Sequence, residues 1–158
     1  MSINRGKQFE DNLKKQFEKV PDTLCLRLYD VTTGYKNQNN ICDFIVFNRG
    51  TLNLLECKAI HGNTLNFKSH IRDNQWDGLL KSSYIPGVNA GILCWFMDWD
   101  ITVFLPIEYL QYMLEDGYKS FNIRKDINKI PRIILDGVKK RVFFDYDLEK
   151  FLEGMRYE

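Results

Sequence analysis

The chain holds 158 residues, 44% of them hydrophobic and 27% charged, with a net charge of +1 at pH 7. That length suits one domain, residues 1–158, with a core that needs no staples, and the composition excludes a disordered chain. No apolar run approaches the ~20 residues of a membrane span and no leader precedes the first polar segment, so a cytoplasmic protein without a membrane partner is expected.

From Asn4, the residues Phe9, Leu13, Phe17 and Val20 recur at helical spacing until Pro21-Asp22, which predicts an amphipathic helix. Leu24, Leu26 and Leu28 alternate with Cys25, Arg27 and Tyr29, the pattern of a half-buried strand. Residues 32–40 are polar and turn-rich, and are expected to form a loop that delivers the chain to Asp43. Two apolar, β-branched segments follow, 42–47 and 51–58, separated by Asn48-Arg49-Gly50; they read as a β-hairpin. Residues 59–69 read as a polar connection, and 71–83, with Gln75, Trp76, Leu79 and Leu80, as a helix broken by Pro86-Gly87. Residues 90–96 are apolar on both faces, as a central strand would be, and 101–105 form another strand after a turn at Asp98-Trp99-Asp100. A helix is predicted from Pro106 to Leu114, ending near Gly117. In the tail, 132–135 and 141–144 are expected to pair about Asp136-Gly137, ahead of a short helix from Asp147 to Met155. The order predicts an α/β fold, a mixed sheet flanked by helices.

The chemistry concentrates in the hairpin. Strand side chains alternate faces, so Glu56 and Lys58 share one face of the second strand. A turn register that adds Asp43 brings two carboxylates and an amine to one edge of the sheet. Charges beside such apolar neighbours need compensation, and a divalent metal on the carboxylates supplies it. Metal-dependent phosphodiester hydrolysis needs hard oxygen ligands for Mg²⁺ or Mn²⁺, an activated water, and positive charge at the phosphate. Asp43 and Glu56 are the candidate ligands, the carbonyl of Cys57 lies between the site residues, and Lys58 can orient or deprotonate the water. The bare spacing also arises by chance, and on its own it is met more often by an exposed ion pair at a strand end.

Other features are less directive. Residues 1–90 hold 12 Lys/Arg against 9 Asp/Glu, and 91–158 hold 10 against 12, a weak lean toward a polyanionic partner that a solvated surface also explains. The cysteines Cys25, Cys42, Cys57 and Cys94 lack zinc-knuckle or redox-pair spacing and read as reduced and structural. His61 and His70 read as surface groups, and Trp95, Phe96 and Trp99 as core.

In the order of these features the chain resembles the PD-(D/E)xK nuclease superfamily, and within it the RecU-type Holliday junction resolvases. The likeness is carried by Asn4-Arg5-Gly6-Lys7-Gln8-Phe9-Glu10, Asp43, Glu56-Cys57-Lys58, Asn63-Thr64-Leu65-Asn66-Phe67 and Asp73-Asn74-Gln75, over roughly residues 4–105. The resemblance implies a restriction-endonuclease-like fold and a Mg²⁺- or Mn²⁺-dependent endodeoxyribonuclease. It further implies a homodimer that cuts opposed strands of four-way junctions in recombination and repair, with recombination proteins as further partners. Asp43 and Glu56 resemble the family's metal ligands and Lys58 its catalytic lysine. Glu10 matches the first-helix acid, completing the metal shell through water, and Gln75 a polar residue that orients the site; as plain residues, both also suit an ordinary helix surface. RecU-type enzymes carry a stalk ahead of the site, where this chain has residues 32–40. Tyr35 there suits base stacking, and Thr33 and Lys36 suit phosphate contact. Arg5, Lys7 and Lys68 are the remaining candidate DNA contacts. Cys42 stands where the superfamily often has Pro, a departure that leaves the ligands intact. The rival readings are a restriction or repair endonuclease of the same fold, and a DNA-binding protein that does no chemistry; the complete Asp43, Glu56, Lys58 set argues against the latter.

Overall fold

The computed structural model describes residues 4–29, 31–33, 36–38 and 40–156, with the backbone alone for 31–33 and 36–38. Helix α1 (Arg5–Phe17) opens at Asn4, whose side chain accepts the Lys7 N–H at 3.0 Å, and buries Phe9, Leu13 and Phe17 at four-residue intervals. The chain continues through β1 (Thr23–Arg27), the short ribbon of β2 (Val31–Thr33) and β3 (Lys36–Gln38), and the hairpin of β4 (Phe44–Asn48) and β5 (Thr51–Ile60). Arg49 and Gly50 join β4 to β5 with φ of 46° and 84°, the two positive values that a right-twisted two-residue hairpin turn requires. Next come β6 (Thr64–Asn66), α2 (Phe67–His70), α3 (Asp73–Ser83), β7 (Val88–Phe96), β8 (Ile101–Pro106) and α4 (Ile107–Glu115). The last part holds β9 (Ser120–Asn122), β10 (Ile133–Ile134), β11 (Gly137–Lys139), β12 (Phe144–Tyr146) and α5 (Leu148–Arg156).

Six strands form the central sheet in the order β1-β4-β5-β7-β8-β10, mixed because β5 and β7 run parallel while the other neighbours are antiparallel. Its two faces carry separate cores. On one, Leu54, Ile92, Cys94 and Leu105 pack with Trp76 and Leu79 of α3 and Leu110 of α4. On the other, Phe44, Leu55, Leu93, Trp95 and Phe104 pack with Phe9, Leu13 and Phe17 of α1 and Phe151 and Leu152 of α5. Emptying one such site, as in Phe17→Ala, is worth roughly 3–5 kcal/mol. Among the described residues no helix is long and apolar enough to cross a membrane.

The structure departs from the sequence-based expectation in five places. The polar run expected as a loop holds β2 and β3, whose pairing rests on backbone ladders and therefore leaves no apolar alternation to read. The tail does not pair about Asp136-Gly137. Instead β10 joins the sheet edge beside β8, and Gly137 opens β11, where a Cβ would sit 2.8 Å from the carbonyl oxygen of Asp145. The glycine serves close strand approach rather than a turn. The connection 59–69 is shorter than expected, since β5 runs to Ile60 and β6 and α2 fill much of the rest. Trp99 is not core: it is 40% exposed, beneath the Arg124 guanidinium at 4.7 Å. In β1 the buried set is Cys25 and the Arg27 side chain under α1, while Leu24 and Leu26 are 56% and 46% exposed.

Candidate functional site

The ladder of β4 and β5 sets the geometry. Phe44 pairs with Leu55, and the Asp43 N–H donates to the Leu55 carbonyl at 3.0 Å, so the alternation puts Asp43, Glu56 and Lys58 on the face that α3 covers. β4 begins at Phe44, and the residues of β5 beyond Leu55 outrun it. That leaves the Cys57 N–H free to donate to Asp43 Oδ2 at 2.8 Å. In a strand the N–H and C=O of one residue point to the same side, so the Cys57 carbonyl faces the Asp43 side as well. Asp43 is pinned further by its own carbonyl, which accepts the Leu28 N–H at 2.7 Å.

Glu56 is 3% exposed. Its Oε2 accepts from Gln75 Nε2 at 2.8 Å and pairs with Lys58 Nζ at 3.0 Å, while its Oε1 is buried without a partner. Burial, and then the charge of Asp43, push the Glu56 carboxyl up to about 8 against the opposing pull of Lys58. Glu10 arrives from α1 on the opposite face of the sheet. Burial and Asp43 push it up to about 7, with Arg27, whose Nη2 lies 3.6 Å from Glu10 Oε1, pulling the other way. Three carboxylates thus crowd one spot with Lys58 and Arg27 as the nearby cations. An orphaned carboxylate oxygen inside an acidic cluster is the environment that a hard divalent cation relieves. Among the described residues no three His, Cys, Asp or Glu side chains form a ready-made cage. The fit is therefore to an ion such as Mg²⁺, which takes one or two carboxylates and fills its other positions with water and substrate oxygens.

Among solved structures the chain matches Hjc, a Holliday junction resolvase from Archaeoglobus fulgidus, with a TM-score of 0.53. The match covers 78% of this chain and 92% of that one at 19% identity. The fold is restriction-endonuclease-like. Neither a family model nor a curated protein matches the sequence.

On this restriction-endonuclease-like frame, Glu10, Asp43, Glu56, the Cys57 backbone, Lys58 and Gln75 meet at one place. Gln75 also accepts the Arg72 N–H at 3.2 Å, which fixes it in the first turn of α3. The candidate DNA contacts are spread more widely. Arg5 and Lys7 lie in the first turn of α1, Lys68 is exposed on α2, and Thr33 and Lys36 face each other across the β2–β3 ribbon. Tyr35 lies outside the described residues. His61 is exposed beside Asp98, as expected. His70 corrects its reading as a surface group: its Nδ1 accepts the Asn66 N–H at 2.8 Å, and burial and then the charge of Lys58 lower its pKa. Arg27 was not legible as a site residue. Its side chain is 8% exposed and ties Glu10 and Asp11 to β1, with its Nε buried and unpartnered. The one sequence signal was a cation placed beside Cys25 in the alternation of a half-buried strand.

Proposed function

We propose that the chain is a metal-dependent endodeoxyribonuclease, a RecU-type Holliday junction resolvase that cuts opposed strands of four-way junctions in recombination and repair. The observation that carries this reading is Glu56, a buried carboxylate with one oxygen held by Gln75 and Lys58 and the other unpartnered, beside Asp43 and Glu10. The likeness of fold to a junction resolvase supports it, as does the β2–β3 ribbon, which stands between β1 and Asp43 where a stalk would. In this reading Thr33, Tyr35 and Lys36 meet the branch point, and Arg5, Lys7 and Lys68 meet phosphates.

Asp43 and Glu56 would hold Mg²⁺ or Mn²⁺ together with the Cys57 carbonyl and, through water, Glu10. When bound, the ion offsets the crowded carboxylates and stabilises charge growing on the phosphate. Lys58 Nζ orients the attacking water and faces that same charge. Gln75 is a positioning residue that acts through Glu56. The water oxygen attacks phosphorus in line as the P–O3′ bond breaks, and the water gives up a proton to solvent. The leaving oxygen takes a proton, which gives a 5′-phosphate and a 3′-hydroxyl.

Two coordinated cuts need two sites, and each chain offers one, so the active species in this reading is a two-fold dimer. The surface that favours it is the uncovered end of the α3 face. There Leu24 pairs with Phe47 and Leu26 with Ile45, leaving Phe47 45% exposed beside the two leucines. A second copy covering this strip removes an apolar patch that a monomer would leave in water. Recombination proteins are the further partners, and the cytoplasm the setting, which suits four free, buried cysteines.

Titrating Mg²⁺ and Mn²⁺ against labelled four-way junction, flap and linear duplex tests the proposal. Paired cuts in the junction are expected. Preferential cutting of flap or duplex would make the chain a nuclease of another substrate, and binding without cutting under any metal would make it a DNA-binding protein.

A further inference from the structure

The β11–β12 hairpin stands outside the central sheet, and its tip carries three consecutive cations, Lys139, Lys140 and Arg141, all exposed. The Lys140 N–H donates to the Phe143 carbonyl at 2.8 Å and closes the tip, so the cations sit on a fixed turn. Its anchorage places it. The Phe143 ring lies 5.5 Å from Trp95, and Trp95 lies 5.6 Å from Phe9, the residue before Glu10. Trp95 also pairs with Ala59, the residue after Lys58. The tip therefore docks at the end of the sheet that carries Glu10 and Lys58, on the face opposite Glu56.

Charge gathers there from two elements. The Arg5 guanidinium lies 5.8 Å over the Phe143 ring, at the start of α1. The facing acids are Asp100, 2.7 Å from Lys139, and Asp145, 3.5 Å from Lys140, both exposed pairs that bind weakly in water. Of the four cations there, Lys139, Lys140 and Arg141 belong to residues 91–158, a stretch that otherwise leans acidic with 10 Lys/Arg against 12 Asp/Glu in all, and this sets the tip apart from its surroundings. Exposed cations near a phosphodiester-cutting centre complement the phosphates of a duplex running past it.

We infer that the β11–β12 tip is a DNA-contacting wing, in which Lys140 and Arg141 grip the phosphate backbone of a duplex arm beside the cutting site. This rests on the nuclease reading above. The test is fluorescence anisotropy of the full chain on a labelled four-way junction, without divalent metal, across a salt series. The comparison is between wild type and the double variant Lys140→Gln, Arg141→Gln. Losing two phosphate contacts should make the slope of log K against log salt shallower by about 2, and weaken binding about thirty-fold at 0.15 M salt. Both side chains are exposed, so the melting temperature should hold, and Lys140→Arg with Arg141→Lys should restore wild-type affinity. Wild-type binding with an unchanged slope and affinity in the double variant would overturn the wing alone. A wild-type chain that binds no DNA would overturn both the wing and the function it rests on.

Discussion

Replacing Glu56 by Gln should stabilise the metal-free protein at alkaline pH. In the folded chain burial and Asp43 push this carboxyl from an ordinary 4.5 up to about 8. A raised acid favours the protonated folded state. Below pH ~4.5 both folded and unfolded chains carry the proton and Glu56 is neutral toward stability. As pH rises the unfolded chain ionises first, so stability is lost progressively until the folded carboxyl also ionises near 8. The side chain is 3% exposed, so the lost stability is on the order of a few kcal/mol. For a chain of this size that is a difference in melting temperature of about 10 °C. Glu56→Gln keeps a carbonyl oxygen for Gln75 Nε2 and carries no charge to bury. Thermal melts in EDTA should therefore show the variant level with wild type at pH 4.5 and well above it at pH 8.5. Added Mg²⁺ should raise the wild-type melting temperature at pH 8.5 and leave the variant nearly unmoved. A variant that melts at or below wild type at both pH values would refute the picture of a charge strained by burial and crowding.

Lys58→Ala should slow junction cleavage at least ~10²-fold with binding retained, the scale of losing a positioned acid/base or electrostatic group; single-turnover rates at saturating protein decide it. Gln75→Ala should lower the single-turnover rate by about ten-fold while shifting the Mg²⁺ concentration needed for half-maximal activity upward, since it frees Glu56; a Gln75→Glu variant should not recover either, because it loses the donated N–H. Leu24→Glu with Phe47→Glu puts charges into the uncovered strip and should turn the proposed dimer into a monomer in sedimentation velocity, with little loss of stability since both side chains are about half exposed; a variant that still dimerises would move the interface elsewhere.

What could be read from the sequence was what local chain geometry controls. Asp43, Glu56 and Lys58 are linked by one tight hairpin, and period-two alternation through Leu54 and Leu55 suffices to put all three on one face. The α1 helix and the central β7 strand followed from equally local patterns, Phe9 to Phe17 and the unbroken apolar run before Met97. Arg27 and His70 escaped because their significance lies in partners that spacing does not reveal: Glu10, 17 positions earlier and on a different element, and Lys58, across a connection. The leucines of β1 show the limit from the other side. Leu24 and Leu26 carry the apolar signal, yet α1 packs on the Cys25 face, and only the tertiary position of the helix decides which face is covered. Asp136-Gly137 misled for a steric reason, since a glycine needed for close approach to Asp145 has the same letter as one needed for a turn.

In the nuclease reading Asp43 is a metal ligand of a cutting site, rather than merely a half-buried carboxylate held by the Cys57 N–H. Asp43→Asn tests it most directly: the amide keeps an acceptor for the Cys57 N–H while removing one negative charge and a metal ligand. With Mg²⁺ present and a labelled four-way junction as substrate, the variant should bind as tightly as wild type or more so, because less negative charge faces the phosphates, and should leave the strands uncut. Wild-type cleavage by Asp43→Asn would mean that Asp43 holds no metal needed for cutting.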